Sequence, residues 1–317
     1  MKELYPDAQI LVAYTHNVSN GGIRVHQLPK PGETVRALDV NTGIDCAKGT
    51  NVAVAASRCG ARVAMAAAVP GGDWFARGKE ILAQEKIDDR FVICVPGTRK
   101  TSGCILIDDD GNNMIVLSST TPQSISRELI TQALEGCPKA DYCITGYEIA
   151  EESVRQVVQT AREYGLVTVM NPSPVPQKRP DFWNYVDILV LNEVETAHML
   201  RLADQSLQED WVENARQLRR LYGCSQVVIT LGSKGFVSLD AADEVAVEPG
   251  QIVHSMDTTG AGDGFLGAMT ARLAMGDSLG QACSWANTFA AYSVQYPGTI
   301  SSYPSREEIA TMAQADR

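Results

Sequence analysis

The chain has 317 residues, 44% of them apolar and only 6% aromatic, and carries a formal net charge of −11. This balance suits a packed α/β enzyme and excludes a disordered or fibrous chain, while the acidic surplus argues against nucleic acid or an anionic membrane as main partner, since either selects a basic face. No apolar run approaches the roughly 18 residues of a spanning helix, and the opening "MKELYPDAQILVAY" lacks the apolar length and small-residue cleavage site of a signal peptide, so a cytoplasmic location is expected.

In chain order, a strand is expected at "QILVAY", a helix from Gly49 to Arg58 closed by Gly60, a strand at "RVAMAAAV" and a helix through "WFARGKEILAQ". After Ser126 the alternation is regular: helix "RELITQAL", strand "DYCIT", helix "SVRQVVQTAREY" stopped by Gly165, strands "LVTVM" and "DILVL", helices "EVETAHMLRL" and "WVENARQLRRLY", then "QVVITL" and "SKGFVSLD". The strands are continuously apolar, as in a parallel sheet covered on both faces. A doubly wound, mainly parallel α/β fold follows, with residues 1–317 as one domain.

Two stretches break the rhythm, "IRVHQLPKPGETVRALDV" (23–40) and "TSGCILIDDDGNNMIVLS" (101–118), the second a hairpin over "DDGNN". Together they are expected to form a small second sheet, a lid inserted at about 16–46 and 98–119. Its apolar, exposed strands would let two copies pair as a homodimer. Eight cysteines, at 46, 59, 94, 104, 137, 143, 224 and 283, form no C-x-x-C pair and lie mostly in apolar segments, which fits reduced thiols. The four histidines lack metal-ligand spacing, so no protein-ligated zinc is expected.

The chemistry concentrates in "DTTGAGDGF", Asp257 to Phe265, between an expected strand "QIVHSM" and an apolar helix "GFLGAMTARLAM". Backbone N–H groups of Gly260, Ala261 and Gly262 at such a junction make an anion hole. A dinucleotide reading of G-x-G meets Asp263 in the next position, where a carboxylate would repel a pyrophosphate. The same carboxylate suits proton removal from an alcohol attacking a γ-phosphoryl group. Asp257 and Thr259 would hold the turn or offer oxygens to a cation. The alternative is an ordinary turn with a helix-capping Asp.

"DTTGAGDGF" resembles the signature of the ribokinase-like (PfkB) carbohydrate kinases, and it does not stand alone. "LPKPGETV", "AKGTNVAVAASRCGARV", "NPSPV", "LNEVET" and "ITLGSKG" are similar to further family segments in order and spacing, covering about residues 10 to 303. The resemblance implies an ATP-dependent phosphotransferase, with ATP and Mg2+, a parallel-sheet core and a β-sheet lid. It implies Asp263 as the base, with Gly260, Ala261 and Gly262 as the anion hole. Asn192 and Glu195 match the positions at the magnesium and phosphate end of the nucleotide, and one helical turn apart they share a face; a helix N-cap with an exposed Glu is the alternative. Thr230, Gly232, Ser233 and Gly235 match the nucleotide loop, and Asn287 an adenine-side position. Asp257, Thr259, Ser293, Gly298 and Ser302 fall at the places of a monovalent-cation site, such as one for K+.

On the substrate side, Lys48, Gly49 and Asn51 keep the family's K-G-x-N, and Glu148 aligns with a substrate carboxylate; Asn20 would lie beneath the lid. Two departures weigh on the choice of sugar. Cys46 and Ala47 stand where a Gly-Gly is usual, which stiffens a hinge, and Val18, Ser19 and Asn20 stand where ribokinases carry N-x-D. Arg99 and Lys100 either grip an acidic substrate or form a solvated turn. His16 and His26 near the lid are structural or touch substrate, and "DDD" at 108–110 reads as a hairpin turn. The acceptor is thus a sugar, with a nucleoside, sugar acid or sugar phosphate as alternatives. A sugar- or nucleotide-binding regulatory protein and a dinucleotide-dependent oxidoreductase are the rivals from other classes.

Overall fold

Strand β1 (Ile10–Ala13) is buried at every position, as the absence of a polar residue in "ILVA" requires when helices cover both faces of a sheet. The structure is a computed structural model describing residues 7–16, 18–20, 22–40, 44–71, 73–95, 103–110, 113–117 and 123–315. β2 (Val18–Asn20), β3 (Ile23–Arg24), β4 (Asp39–Val40) and β5 (Ile44–Cys46) depart from the main sheet before α1 (Lys48–Arg58) returns to it. β6 (Val63–Pro70), α2 (Asp73–Gln84) and β7 (Asp88–Val95) follow, then the hairpin of β8 (Gly103–Ile107) and β9 (Asn113–Leu117).

From α3 (Arg127–Gly136) the βα alternation runs through β10 (Tyr142–Gly146), α4 (Glu151–Glu163), β11 (Val167–Asn171), β12 (Ile188–Asn192), α5 (Glu193–Leu202), α6 (Trp211–Tyr222) and β13 (Gln226–Thr230). β14 (Phe236–Leu239), β15 (Val245–Glu248), α7 (Ala261–Ala274), α8 (Leu279–Ser293) and α9 (Arg306–Ala315) complete the described elements. The helix ends follow local chemistry: Ser126 and Asp210 cap α3 and α6 through their side chains, and α6 stops at Gly223 with φ 74°.

One nine-stranded sheet carries the core, in the order β15-β14-β13-β12-β11-β10-β1-β6-β7. Its pairings are parallel except at one edge, where β14 and β15 run antiparallel. The expected lid is present as a four-stranded sheet, β4-β3-β8-β9, beside a two-stranded β2-β5 ribbon. The lid hairpin pairs Ile107 with Asn113, while Gly111 and Asn112 of its turn lie outside the described residues.

One expected strand is absent. Segment 251–256 is irregular, because the N–H groups of Met256 and Asp257 bond to Val294 O at the end of α8 instead of to a neighbouring strand. The glycine motif therefore sits at a loop-to-helix junction. β7, β15 and α8 were not read from the pattern, since β7 and β15 are half-exposed edge strands whose apolar residues do not form a continuous run. Of the eight cysteines, Cys94 and Cys104 are exposed and the others buried.

α1 and α7 cross unusually closely. α1 is built of small residues, and a Cβ on Gly267 in α7 would collide with the Val52 carbonyl oxygen and lie 2.8 Å from the Ala55 Cβ. In a free helix Gly→Ala stabilises by about 1 kcal/mol; here the helices must part, and overpacking costs about 1–3 kcal/mol. Gly267→Ala is therefore expected to lower the melting temperature, and a raised one in thermal denaturation would show that the helices separate freely.

Candidate active site

The order of the strands reverses on either side of β1, with β6 and β7 to one side and β10 to β13 to the other, and such switch points open a crevice at the strands' carboxyl ends. Thr15, Glu148, Asn171, Asn192 and Thr230 lie at or just beyond those ends. The amino ends of α1 and α7 bring Lys48, Asn51 and Asp263 to the same edge. A small open cleft is lined there by Lys48, Asn171, Asn192, Glu195, Thr230, Gly262 and Asp263, among others.

Asp263 is buried, and both of its oxygens are aimed: Lys48 Nζ donates to Oδ1 at 3.3 Å and Asn51 Nδ2 to Oδ2 at 2.9 Å. Burial opposes the Lys48 charge, but the carboxylates of Asp263, Glu148 and Glu195 outweigh it and hold the ammonium protonated well above its ordinary range. Asn51 Oδ1 is buried without a partner among the described residues, an acceptor waiting for a donor. Glu148 Oε2 receives the Thr15 hydroxyl at 2.6 Å and the Lys48 N–H at 3.2 Å. Thr15 was not singled out from sequence; a hydroxyl ending an apolar strand was the available signal. Gly49 is there for backbone contact, since a Cβ would collide with the Thr15 carbonyl.

The glycines of the motif divide their work. Gly260 is the N-cap of α7 in the left-handed region at φ 78°. The Ala261 N–H is committed to Thr258 O at 3.2 Å, and so does not join an anion hole as expected, because the turn that starts the helix uses it. Among the described residues, no group takes the N–H of Gly262 or Asp263, and a Cβ on Gly262 would meet nothing within 4 Å. The free donors at the head of α7 thus include Gly262 of the expected set, without Ala261, and add the Asp263 N–H that the motif had not suggested.

Asp257 holds the turn, as expected: Oδ1 accepts the Thr259 N–H and Oδ2 the Gly298 N–H, both at 2.9 Å. Ser293 and Ser302 turn their hydroxyls to Ala290 O and Thr299 O. Thr299 Oγ1 accepts the Cys46 N–H at 3.3 Å, which joins the end of β5, in the ribbon beside the lid, to the same loop.

Asn192 and Glu195 form a reciprocal capping box, with Asn192 Oδ1 accepting the Glu195 N–H at 2.8 Å and Glu195 Oε2 the Asn192 N–H at 3.0 Å. Both line the cleft, so the capping alternative and the functional one hold together; Glu195, however, is buried, not exposed. Asn171 Nδ2 also reaches Glu195 Oε2, at 3.2 Å, a role that its place in "NPSPV" had not assigned. In the loop after β13, Gly232 has open space about it and Ser233 is exposed, but Gly235 is a glycine because β15's end crosses it, a Cβ there colliding with Glu248 O. Asn287 lies apart from the cleft and donates to Glu248 and to Pro249 O.

Asn20 falls in β2 with its side chain outside the described residues, as Arg99 and Lys100 are altogether. His16 is buried against Thr50, and burial lowers it to about 4, so its imidazole is neutral. His26 pairs with Asp109 at the surface. Among the described residues no group of three or more His, Cys, Asp and Glu has the arrangement of a metal site. No helix among them is long and apolar enough to cross a membrane.

The pfkB family carbohydrate kinase model matches residues 48–306. Ribokinase of Mus musculus is 32% identical over 292 residues, covering 89% of this chain and 88% of that protein. Deoxyribokinase of Salmonella typhi is 30% identical over 295 residues, covering 89% and 92%. The crystal structure of ribokinase from Thermotoga maritima superposes with a TM-score of 0.79 at 25% identity, covering 97% of this chain and 99% of that one.

Burial raises the Glu148 carboxyl above the usual range, against the opposing pull of Lys48 and Thr15. Its folded-state pKa exceeds the unfolded value, so the folded protein binds the proton more tightly and stability falls as pH rises from the unfolded to the folded pKa. Glu148→Gln is expected to reduce this loss of stability between pH 4 and pH 7, measured by urea unfolding; an unchanged difference would mean that the carboxylate ionises without penalty.

Proposed function

The chain belongs to the PfkB family of carbohydrate kinases, ATP-dependent phosphotransferases with an alcohol acceptor, and we propose that it phosphorylates one hydroxyl of a neutral sugar with Asp263 as general base. The observation that carries this reading is the Asp263 carboxylate, buried beside two unclaimed backbone N–H groups and aimed by Lys48 and Asn51. A sugar hydroxyl in reach of Asp263 gives up its proton to the carboxylate as its oxygen attacks the γ-phosphorus, the bond from that phosphorus to the bridging oxygen breaks, and ADP leaves. The N–H groups of Gly262 and Asp263 receive the charge on the transferring oxygens.

Charge favours a neutral acceptor. Among the described residues lining the cleft, Lys48 is the one cation, and Asp263 already occupies it. Among the described residues, an acidic or phosphorylated sugar would set its charge against Glu148, Asp263 and Glu195 without compensation. Glu148 and the orphaned Asn51 Oδ1 suit hydroxyl donors of a polyol, with Asn20 contributing from the lid.

The nucleotide would lie along Thr230, Gly232 and Ser233, in the loop that Gly235 lets pack against β15's end, with Asn287 on the adenine side. Glu195 keeps Oε1 free of donors among the described residues, and with Asn192 it would hold a hydrated magnesium ion, which neutralises phosphate charge when bound. Because Asp257 spends both oxygens on N–H groups, a potassium ion beside this turn would rely on backbone carbonyls near Thr259, Ser293, Gly298 and Ser302. A cytoplasmic location fits the mostly buried thiols.

ATP turnover is to be measured against ribose, 2-deoxyribose, hexoses, sugar acids, sugar phosphates and nucleosides. A neutral sugar is expected to stimulate ADP release, and Asp263→Asn to lower kcat about 10²- to 10⁴-fold. Stimulation by acidic or phosphorylated sugars alone would overturn the neutral assignment, and an active Asp263→Asn the base. Exposed Leu38, Val40, Met114 and Val116 on the lid also support pairing of two copies, so sedimentation is expected to give a dimer that Val116→Lys weakens.

A further inference from the structure

We propose that Tyr303 is a positioning residue for the anion hole, its hydroxyl fixing the first turn of α7 and with it the aim of the Gly262 and Asp263 N–H groups. The proposal deepens the kinase reading above and rests on it. α7 starts without a side-chain cap, because its N-cap is Gly260. What holds that turn instead comes from the far end of the chain: the Tyr303 hydroxyl donates to Gly260 O at 2.6 Å, and the same oxygen accepts the Gly264 N–H at 2.8 Å, the bond that begins the helix.

Two glycines of the motif make room for this contact. A Cβ on Gly260 would lie 3.2 Å from the Tyr303 hydroxyl and 3.1 Å from the Thr299 side chain. One on Gly264 would lie 3.1 Å from the Tyr303 ring and 2.9 Å from that of Phe289. Only the third, Gly262, opens on the cleft. Thus Gly260 and Gly264 admit the tyrosine, and Gly262 admits the ligand.

The phenol is itself braced. Tyr303 is buried, edge-to-face on Phe289 at 5.3 Å, and its backbone carbonyl accepts Arg58 Nη1 at 2.8 Å. Arg58 also binds Ile300 O and is fixed by both oxygens of Glu85. Donors that stabilise developing charge act through preorganisation, so a loosened first turn is felt in the transition state before the ground state.

Tyr303→Phe removes the hydroxyl and keeps the ring. It is expected to lower kcat about tenfold, with KM for sugar and ATP within about twofold, since misaiming a donor costs less than the 10²- to 10³-fold of deleting one. Affinity for ADP with fluoroaluminate should fall by a similar factor while affinity for ADP alone holds. Ser301→Ala, which strips a hydroxyl from the same loop without touching Gly260, should change neither. If the phenylalanine variant does not fold, Gly264→Ala, which crowds the ring with the hydroxyl retained, should give the same split. A variant that loses only melting temperature, or raises both KM values at unchanged kcat, overturns the proposal. If the wild type binds fluoroaluminate–ADP no better than ADP and Asp263→Asn turns over, the kinase reading itself fails and takes this proposal with it.

Discussion

The closeness of α1 to α7 is the constraint on which the rest of the site depends. Asp263, the proposed base, stands on one helix and the two groups that aim it stand on the other, 215 and 212 residues away in sequence. Only a glycine opposite the Val52 carbonyl, with alanines along α1, lets the axes approach near enough for an asparagine to reach across. Packing here sets chemistry directly, because a Cβ on Gly267 would meet the Val52 carbonyl and push apart the two helices whose side chains meet at Asp263.

Electrostatics then does the sorting. Three carboxylates share one ammonium, an arrangement that leaves the region around Glu148 and Asp263 negative and Lys48 firmly charged. That balance is what the proposed neutral acceptor rests on, while the head of α7 offers its partial positive charge through backbone N–H groups.

Much of this was legible beforehand. The apolar runs with helical segments between them announced a doubly wound sheet, and the two interruptions announced the lid, because periodicity is written locally. The resemblance assigned roles to Lys48, Asn51, Glu148, Asn192, Glu195 and Asp263, and the fold brings them to one edge. What stayed hidden was relational. "QIVHSM" has a strand's composition, but its N–H groups find Val294. Ala261 looked like an anion donor until the turn claimed it. Gly235 looked like a nucleotide glycine, whereas the backbone it admits belongs to β15's end. Thr15 and Asn171 owe their roles to neighbours that no local pattern names.

The bracing of Arg58 against the last loop has a consequence for how the molecule comes into being. Arg58 and Arg306 bind residues of the far end and of the first third of the chain respectively, over separations of 242 to 249 residues. Contacts of such range form late, after loop-closure entropy has been met. A nascent chain emerging from the ribosome therefore carries Lys48, Asn51 and then Asp263 for some time without the carbonyl partners of Arg58. Until Ile300 and Tyr303 have been synthesised, the residues of the site are all in place along the chain, yet the first turn that organises them has nothing to lean on.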